Sequence, residues 1–200
     1  MKHLINNGRR PLKTIFGIPR LIKNYPLWFK NRLGLNKERY SLYYLRNGLR
    51  YRVLSSSFNI INHICNHDVY KKNLIKRGDI VLDIGAQAGV FTVAASKLVD
   101  ESGHIYSFEP TKLNFSILKD NLKINSLENV TPINMAVFRK AGSKEIFLDD
   151  AMFGEGSHSF YFKPKEVQKE KVKCTTIKDF FKKYKINKID FLKMDCEGSE

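Results

Sequence analysis

One stretch, residues 79–109, limits the possible folds more than any other part of the sequence. It begins with a compact apolar segment, 80–84, and continues into a turn with glycine at both ends, 85–89. A helical pattern of apolar residues over 90–99 and a second strand pattern over 104–109 follow. A strand, a glycine-containing turn, a helix and another strand, in this order, predict a βαβ unit with parallel strands.

The turn and the acid beyond it have the spacing of a nucleotide-binding site. Gly85 lets the chain turn tightly, and Gly89 lets the helix begin close to a ligand. Glu109 follows Gly89 by 20 residues, and a carboxylate at the tip of the neighbouring strand can accept hydrogen bonds from ribose hydroxyls. The turn reads G-x-x-x-G, and Asp83 would repel a diphosphate but attract an ammonium group. A methionine moiety therefore fits better than a dinucleotide.

The alternation of helices and strands continues beyond this unit. Apolar spacing predicts a helix over 112–125, and a third strand is expected over 130–137. A fourth buried strand is expected over 189–194, after a helix that begins at a capping residue, Thr176. The fold class expected from this order is α/β, with a doubly wound and mostly parallel sheet.

The segment between the third strand and the last helix interrupts the alternation. Short strands are expected over 145–148 and 172–174, with a polar loop over 154–160 between them. An insertion beside a nucleotide site is expected to face the substrate. His158 lies in this loop and is a candidate general base, although a single histidine in a loop is more often incidental.

The sequence before the βαβ unit divides into two parts. Residues 1–39 form a basic arm, and residues 40–78 contain a hairpin and a helix that lead into the core, which we place at 79–200. Strand patterns flank Asn47-Gly48, a dipeptide that favours a type I′ turn. A short helix is expected over 69–76, ending before a glycine.

The arm is strongly basic. Residues 1–37 contain nine Lys and Arg and no acid. They therefore contribute nine of the fifteen net positive charges of the chain. Basic charge mixed with aromatic residues suits an anionic membrane surface or nucleic acid. The interpretation that we favour is a solvated extension whose aromatic residues dock on the domain, because three prolines interrupt any long amphipathic helix.

Five blocks of sequence carry a resemblance to a known family. They are VLDIGAQAG (81–89), FEP (108–110), NMAV (134–137), TTIKDF (175–180) and IDFLKMDCEG (189–198). On these blocks the chain resembles the FkbM family of S-adenosylmethionine-dependent methyltransferases from roughly residue 47 to the last residue. Gln87 departs from the glycine that many class I methyltransferases have at the centre of the turn.

The resemblance implies a Rossmann-like class I methyltransferase fold and S-adenosyl-L-methionine as the cofactor. It places Asp83, Gly85 and Gly89 around the methionine end, Glu109 at the ribose and Ala136 near the adenine. It also implies methyl transfer, most often to a hydroxyl on a sugar, glycan, polyketide or small metabolite.

The acceptor side is expected at the end of the fourth strand. Lys193, Asp195 and Glu197 alternate there, and open α/β sheets bind ligands at the carboxyl ends of their strands. Asp195 is the preferred general base and Glu197 the next candidate. Both could also bind a divalent cation, with other ligands elsewhere. The alternative is a structural ion pair between Lys193 and Asp195.

Two other functions stay open. The basic arm permits a methyltransferase that acts on RNA, although the Asn/Asp-Pro-Pro-Tyr signature of many base-methylating enzymes is absent. The chain also stops just after the predicted fourth strand, which would leave an apolar edge without a neighbour. We therefore expect a fragment or truncated reading frame of a longer enzyme, or a non-catalytic cofactor-binding module.

Cysteine content and the N-terminal sequence bear on disulfides, metal sites and cellular location. The three cysteines form no CxxC pair, so we expect neither a disulfide framework nor a zinc ribbon. The sequence HICNH at 63–67 has ligand-type residues but no second cluster, and packing at the boundary of a strand or helix is the better interpretation. Neither a signal peptide nor an apolar run of membrane-spanning length is recognisable, so we expect a cytoplasmic protein.

Overall fold

The computed structural model describes residues 12–149, 157–159 and 168–195, with side chains over 17–148 and 168–195. A hairpin with two preceding helices is followed by alternating strands and helices. In chain order the elements are α1 (Leu12–Leu21), α2 (Tyr25–Arg32), β1 (Tyr40–Tyr44), β2 (Arg50–Leu54), α3 (Asn59–Ile61), β3 (Ile80–Ile84), α4 (Val90–Val99), β4 (His104–Phe108), α5 (Lys112–Ile124), β5 (Val130–Ile133), β6 (Ala136–Val137), β7 (Gly142–Asp149), β8 (Ser157–Ser159), β9 (Gln168–Thr175), α6 (Ile177–Tyr184) and β10 (Phe191–Met194).

Four strands form the central sheet in the order β10-β3-β4-β5, and all three pairings are parallel. Alternate residues of β3 face opposite sides: Val81 packs with α4 and α5, whereas Leu82 and Ile84 pack against Phe180 of α6. Helices therefore cover both faces, which explains why these strands are apolar along most of their length. The predicted doubly wound α/β fold is confirmed.

The close approach of α4 and α5 requires glycine at the start of α4. Gly89 has φ +76°, and a Cβ atom there would lie 2.3 Å from Cδ1 of Leu118. A side chain at this position would therefore clash with α5 and also strain the backbone.

Thr176 caps α6 as predicted: its Oγ1 accepts a 3.0 Å hydrogen bond from the backbone N–H of Asp179.

A second sheet contains the inserted segment, in the order β6-β9-β7-β8. The prediction of one strand over 130–137 is wrong, because the chain turns where the N–H of Met135 bonds to the carbonyl of Ile133. β6 then leaves the central sheet and pairs in parallel with β9. The strands predicted at 145–148 and 172–174 are parts of a longer antiparallel pair, β7 and β9.

The predicted N-terminal hairpin is present, but its turn differs from the one expected. Gly48 has φ +91°, whereas Asn47 is not among the residues with positive φ. The N–H of Gly48 bonds to the carbonyl of Leu45, and the N–H of Leu45 bonds to the carbonyl of Leu49. This is the pattern of a three-residue loop with a glycine bulge, so the type I′ prediction is wrong.

The helix predicted over 69–76 is also wrong, since only one 3-10 turn, Lys72–Leu74, forms there. The Asp68 carboxylate accepts hydrogen bonds from the backbone N–H and the Nζ of Lys72, and such local bonds compete with helix formation. The helical structure lies earlier, in α3 and a π-type turn at Asn62–Asn66.

The HICNH sequence occupies that π-type turn and packs against the core. Ile64 is buried, and burial raises the pKa of the Cys65 thiol to about 11. Over the residues for which side chains are described, no group of three or more His, Cys, Asp or Glu side chains is arranged to hold a metal ion.

The described part of the basic arm docks on the domain. Ile18, Ile22 and Trp28 are completely buried in the same core as α4 and α5. The Trp28 ring meets the rings of Phe29 and Phe58 edge-on, with centroids 5.2 and 5.3 Å away. The favoured interpretation, docking through aromatic residues, is confirmed for this part of the chain. None of the helices in the described ranges is long and apolar enough to cross a membrane.

Because Trp28 joins the arm to the core, Trp28→Ala should lower the free energy of unfolding by about 3–5 kcal/mol. Leu33→Ala is the control, since Leu33 is 68% exposed and should contribute little. Urea denaturation followed by circular dichroism measures both variants. An equally small effect of the two substitutions would show that the arm is not part of the core.

Candidate functional site

The glycine turn (residues 85–89) is fastened to the end of β4. The N–H groups of Gly85 and Ala86 both donate to the carbonyl of Phe108, at 3.0 and 2.9 Å. Gly85 has φ +80°, and Gln87 adopts φ +50° although it is not a glycine. The turn therefore has a defined position at the carboxyl end of the central sheet, where open α/β folds bind ligands.

Glu109 follows β4 directly and its carboxylate reaches back to the glycine turn. One oxygen accepts a 2.9 Å bond from the N–H of Gln87, and the other accepts bonds from the N–H and Oγ1 of Thr111 at 2.9 and 2.7 Å. The side chain is buried, and burial raises the pKa of Glu109 above its ordinary value. A carboxylate offers about four acceptor positions, so three protein donors leave room for about one more.

Asp83, at the end of β3, lies beneath the turn and is completely buried. Its Oδ2 accepts a 2.6 Å bond from Oγ1 of Thr92, which in turn accepts a bond from Ser107. Its Oδ1 lies 3.1 Å from Nζ of Lys193 on the neighbouring strand β10. Lys193 is also buried, and its Nζ donates a 2.6 Å bond to the carbonyl of Gly85.

The Asp83–Lys193 contact is an ion pair without hydrogen-bond geometry. Oδ1 of Asp83 has no hydrogen-bond donor among the described residues, although the lysine ammonium is 3.1 Å away. The pair is attractive nevertheless, because attraction between opposite charges depends on distance and not on the angle at the oxygen. A ligand ammonium could contact Asp83 directly only if Lys193 or Thr92 moved.

Asp195 lies at the carboxyl end of β10, beside the glycine turn. Its backbone N–H donates a 3.1 Å bond to the carbonyl of Ile84, and its side chain is exposed. The carboxylate accepts a hydrogen bond from the hydroxyl of Tyr70. Lys193 is paired with Asp83 and not with Asp195, so the alternative of a structural Lys193–Asp195 ion pair is wrong.

The structure gives the positions of two of the remaining predicted residues, Ala136 and His158. Ala136 is buried in β6, where it pairs with Cys174 of the second sheet. His158 is in β8 and pairs with Leu148 through the backbone, but its side chain is not among those described. Glu197 lies outside the described residues.

Two residues that support the site, Asn121 and Asn134, were not predicted from the sequence. Asn121 of α5 donates to the carbonyls of Ala88 and Arg52, at 2.7 and 2.8 Å, and so joins the glycine turn to the hairpin. Asn134 donates to the carbonyls of Glu109 and Pro110. Asn134 lies in a block used for the resemblance, whereas nothing near Asn121 in the sequence indicates its role.

The model of a protein family described as the methyltransferase FkbM domain matches residues 83–200, more than half of the chain. The match begins at the buried aspartate beneath the glycine turn and includes Glu109 and Asp195. The chain belongs to the FkbM methyltransferase family. The sequence resemblance is thereby confirmed over residues 83–200, and with it S-adenosylmethionine as the cofactor of the family.

Similarity to individual proteins is limited to parts of the chain. The ribosomal protein L11 methyltransferase of Caldanaerobacter subterraneus subsp. tengcongensis is 34% identical over 61 residues, which are 30% of this chain and 19% of that protein. The chain thus spans about a fifth of the length of this relative.

Solved structures also match in part. A SAM-dependent methyltransferase from Aquifex aeolicus has 26% identity and a TM-score of 0.31, covering 34% of this chain and 37% of that one. TYW2 of M. jannaschii, solved in complex with AdoMet, has 21% identity and a TM-score of 0.38, with coverages of 49% and 44%.

Glu109 and the glycine turn are the residues of this FkbM-family chain that would hold the cofactor at its ribose. Glu109 retains about one acceptor position for a hydroxyl, and the glycine turn stands beside it. Asp83 would support the methionine end through the turn that Lys193 holds. When bound, S-adenosylmethionine supplies a methyl group on a positively charged sulfur, which is open to attack by a nucleophile.

Lys193→Met should destabilise the fold, because it leaves the Asp83 carboxylate buried without a compensating charge. Breaking a buried pair from one side costs about 3–5 kcal/mol. The matched control is Lys169→Met, since the Lys169–Glu145 pair has side chains 51% and 61% exposed and should contribute little. Chemical denaturation of both variants measures the difference. Equal stabilities would mean that Asp83 does not depend on Lys193.

Proposed function

We propose that this protein is an S-adenosylmethionine-dependent O-methyltransferase that acts on a hydroxyl of a sugar, glycan or small metabolite. The observation that carries the proposal is the exposed carboxylate of Asp195, which lies at the end of β10 beside the glycine turn. An acceptor bound at the carboxyl end of the sheet could reach Asp195 without displacing the buried residues beneath the turn.

The proposed chemistry needs a base for the acceptor hydroxyl and accurate positioning of the hydroxyl oxygen. Asp195 would accept the proton of the acceptor hydroxyl, whose oxygen would take the methyl group that bound S-adenosylmethionine supplies, with S-adenosylhomocysteine as the leaving group. A general base typically contributes about 10²- to 10⁴-fold, and alignment of the reacting atoms contributes further. Glu197 is proposed to orient the acceptor, and His158 is the alternative base.

The second candidate function is methylation of RNA. It is favoured by exposed cations: Lys169, Lys171 and Lys173 alternate along β9 and share one face. Such a row of charges can bind phosphates in a salt-dependent manner. The match to a methyltransferase of a ribosomal protein is compatible with a ribosomal acceptor, which would be a third class.

One experiment separates these acceptors. The full chain is incubated with S-adenosylmethionine that carries a radioactive methyl group, and with nucleotide sugars, oligosaccharides, total tRNA or ribosomal particles. Label that enters a sugar fraction supports the proposal, and label that enters RNA or ribosomal protein replaces it. Cofactor binding without transfer to any fraction would support a non-catalytic binding module.

We also propose a peripheral contact between the arm and an anionic membrane surface. Lys23, Lys30, Arg32 and Lys37 are exposed, and Leu33 and Leu35 are 68% and 65% exposed beside them. Basic charge with neighbouring apolar side chains favours anionic lipid surfaces. Co-sedimentation with phosphatidylserine vesicles, but not with phosphatidylcholine vesicles, is expected. Equal recovery with both would remove this partner.

For the cofactor, Glu109→Ala should weaken binding of S-adenosylhomocysteine about 10- to 100-fold. The substitution removes a charge-assisted bond to ribose, worth about 1.5–3 kcal/mol, and also releases the N–H of Gln87 from its partner. Glu101→Ala, at an exposed carboxylate, is the control. Calorimetry measures both variants. Unchanged affinity would contradict the ribose role, and preferential binding of NAD by the unaltered protein would contradict the cofactor.

For the acceptor side, Asp195→Asn should lower turnover by at least about tenfold while the affinity for S-adenosylhomocysteine stays within a few-fold. The amide keeps the size of the side chain but cannot accept a proton. Asp190→Asn, in the loop before β10, tests whether any carboxylate of this segment has the same effect. Unimpaired turnover of Asp195→Asn would direct the search for the base to His158 or Glu197.

A further inference from the structure

Tyr70 contacts the site from outside the segment that the family model matches. Its hydroxyl donates a hydrogen bond to Asp195, and its ring lies 5.2 Å from Nζ of Lys193. The family match begins at residue 83. We propose that Tyr70 is a positioning residue for methyl transfer, which holds the Asp195 carboxylate toward the acceptor. This inference rests on the proposed function of Asp195.

The ring of Tyr70 is fixed by contacts that do not involve its hydroxyl. It meets Phe91 of α4 edge-on, with centroids 5.5 Å apart, and Phe91 stacks on Phe191 of β10 at 6.1 Å. Aromatic pairs at these distances are favourable and restrict the orientation of the rings. The position of the hydroxyl is therefore set by packing of the Tyr70 ring against Phe91 of α4, which in turn stacks on β10.

The backbone around Tyr70 is also held in an unusual conformation. Asp68 and Lys71, on either side of it, have φ values of +46° and +51°. The ion pair and backbone bond between Asp68 and Lys72 close this turn. Non-glycine residues in the left-handed region cluster at ligand-binding and switch segments. Here the two residues with positive φ, Asp68 and Lys71, flank Tyr70 and direct its side chain toward the end of β10.

The hydroxyl bond to Asp195 matters more for orientation than for stability. Asp195 is exposed, so water could satisfy its carboxylate equally well, and the net contribution of such a bond to folding is small. A proton acceptor, however, must point at the acceptor hydroxyl for efficient transfer.

The first test needs no acceptor. In protein labelled with ¹³C at the tyrosine Cζ, the resonance that Tyr70→Phe removes belongs to Tyr70. This resonance should shift in Asp195→Asn and also when the protein is saturated with S-adenosylhomocysteine. The resonance of Tyr184, whose ring packs on the opposite face of the sheet, should not respond. An unresponsive Tyr70 would overturn the inference.

The second test compares Tyr70→Phe with Tyr184→Phe as the matched control. Tyr70→Phe should keep the affinity for S-adenosylhomocysteine within twofold and the KM for the acceptor unchanged, while kcat falls about 3- to 10-fold. The acceptor is the nucleotide-sugar or oligosaccharide fraction that takes up label. A loss of thermal stability with an unchanged kcat would mean that Tyr70 only packs the core.

A double-mutant cycle distinguishes failure of this inference from failure of the proposed function. If Tyr70 acts through Asp195, Tyr70→Phe should not lower the kcat of Asp195→Asn any further. Additive effects would overturn the positioning role while leaving Asp195 as the base. An unimpaired Asp195→Asn variant would instead overturn the proposed role of Asp195, and the inference about Tyr70 with it.

Discussion

The arrangement of the site depends on the buried ion pair between Asp83 and Lys193. Two unit charges lie together beneath the glycine turn, and each would be costly to bury alone. Their separation of 3.1 Å across β3 and β10, together with the bond from Lys193 to the carbonyl of Gly85, fixes the turn relative to both strands. A hydrophobic pair of equal size could fill this space, but it would not hold the carbonyl of the turn.

Three neighbouring strands of the central sheet each bring one carboxylate to the site. β3 provides Asp83, Glu109 follows β4, and Asp195 follows β10. Since the strands are parallel, their carboxyl ends meet at one edge, and groups that are far apart in the chain become neighbours there. The two carboxylates that we propose as ligand contacts differ in environment: burial raises the pKa of Glu109, whereas Asp195 is exposed.

The N-terminal segment belongs to the same core, although the family match begins later. Trp28 and Ile18 are buried in the cluster that contains α4 and α5, and Asn121 bonds both to the hairpin and to the glycine turn. Tyr70 extends this connection to Asp195. The division into a basic arm, a leading hairpin and a core thus follows composition more than packing.

The sequence by itself determined the elements that depend on residues close together in the chain. Apolar runs and glycine spacing determined β3, the turn and α4, and the spacing from Gly89 to Glu109 indicated the nucleotide site. Three local features were not predictable in this way. Hydrogen bonding within the loop decided the type of turn at Asn47-Gly48, and bonds between Asp68 and Lys72 replaced the helix predicted over 69–76. Strand pairing with β9 took β6 into another sheet. Only the tertiary structure placed Lys193 against Asp83 and Tyr70 against Asp195, because these contacts join residues 110 and 125 positions apart in the chain, a separation that periodicity does not reach.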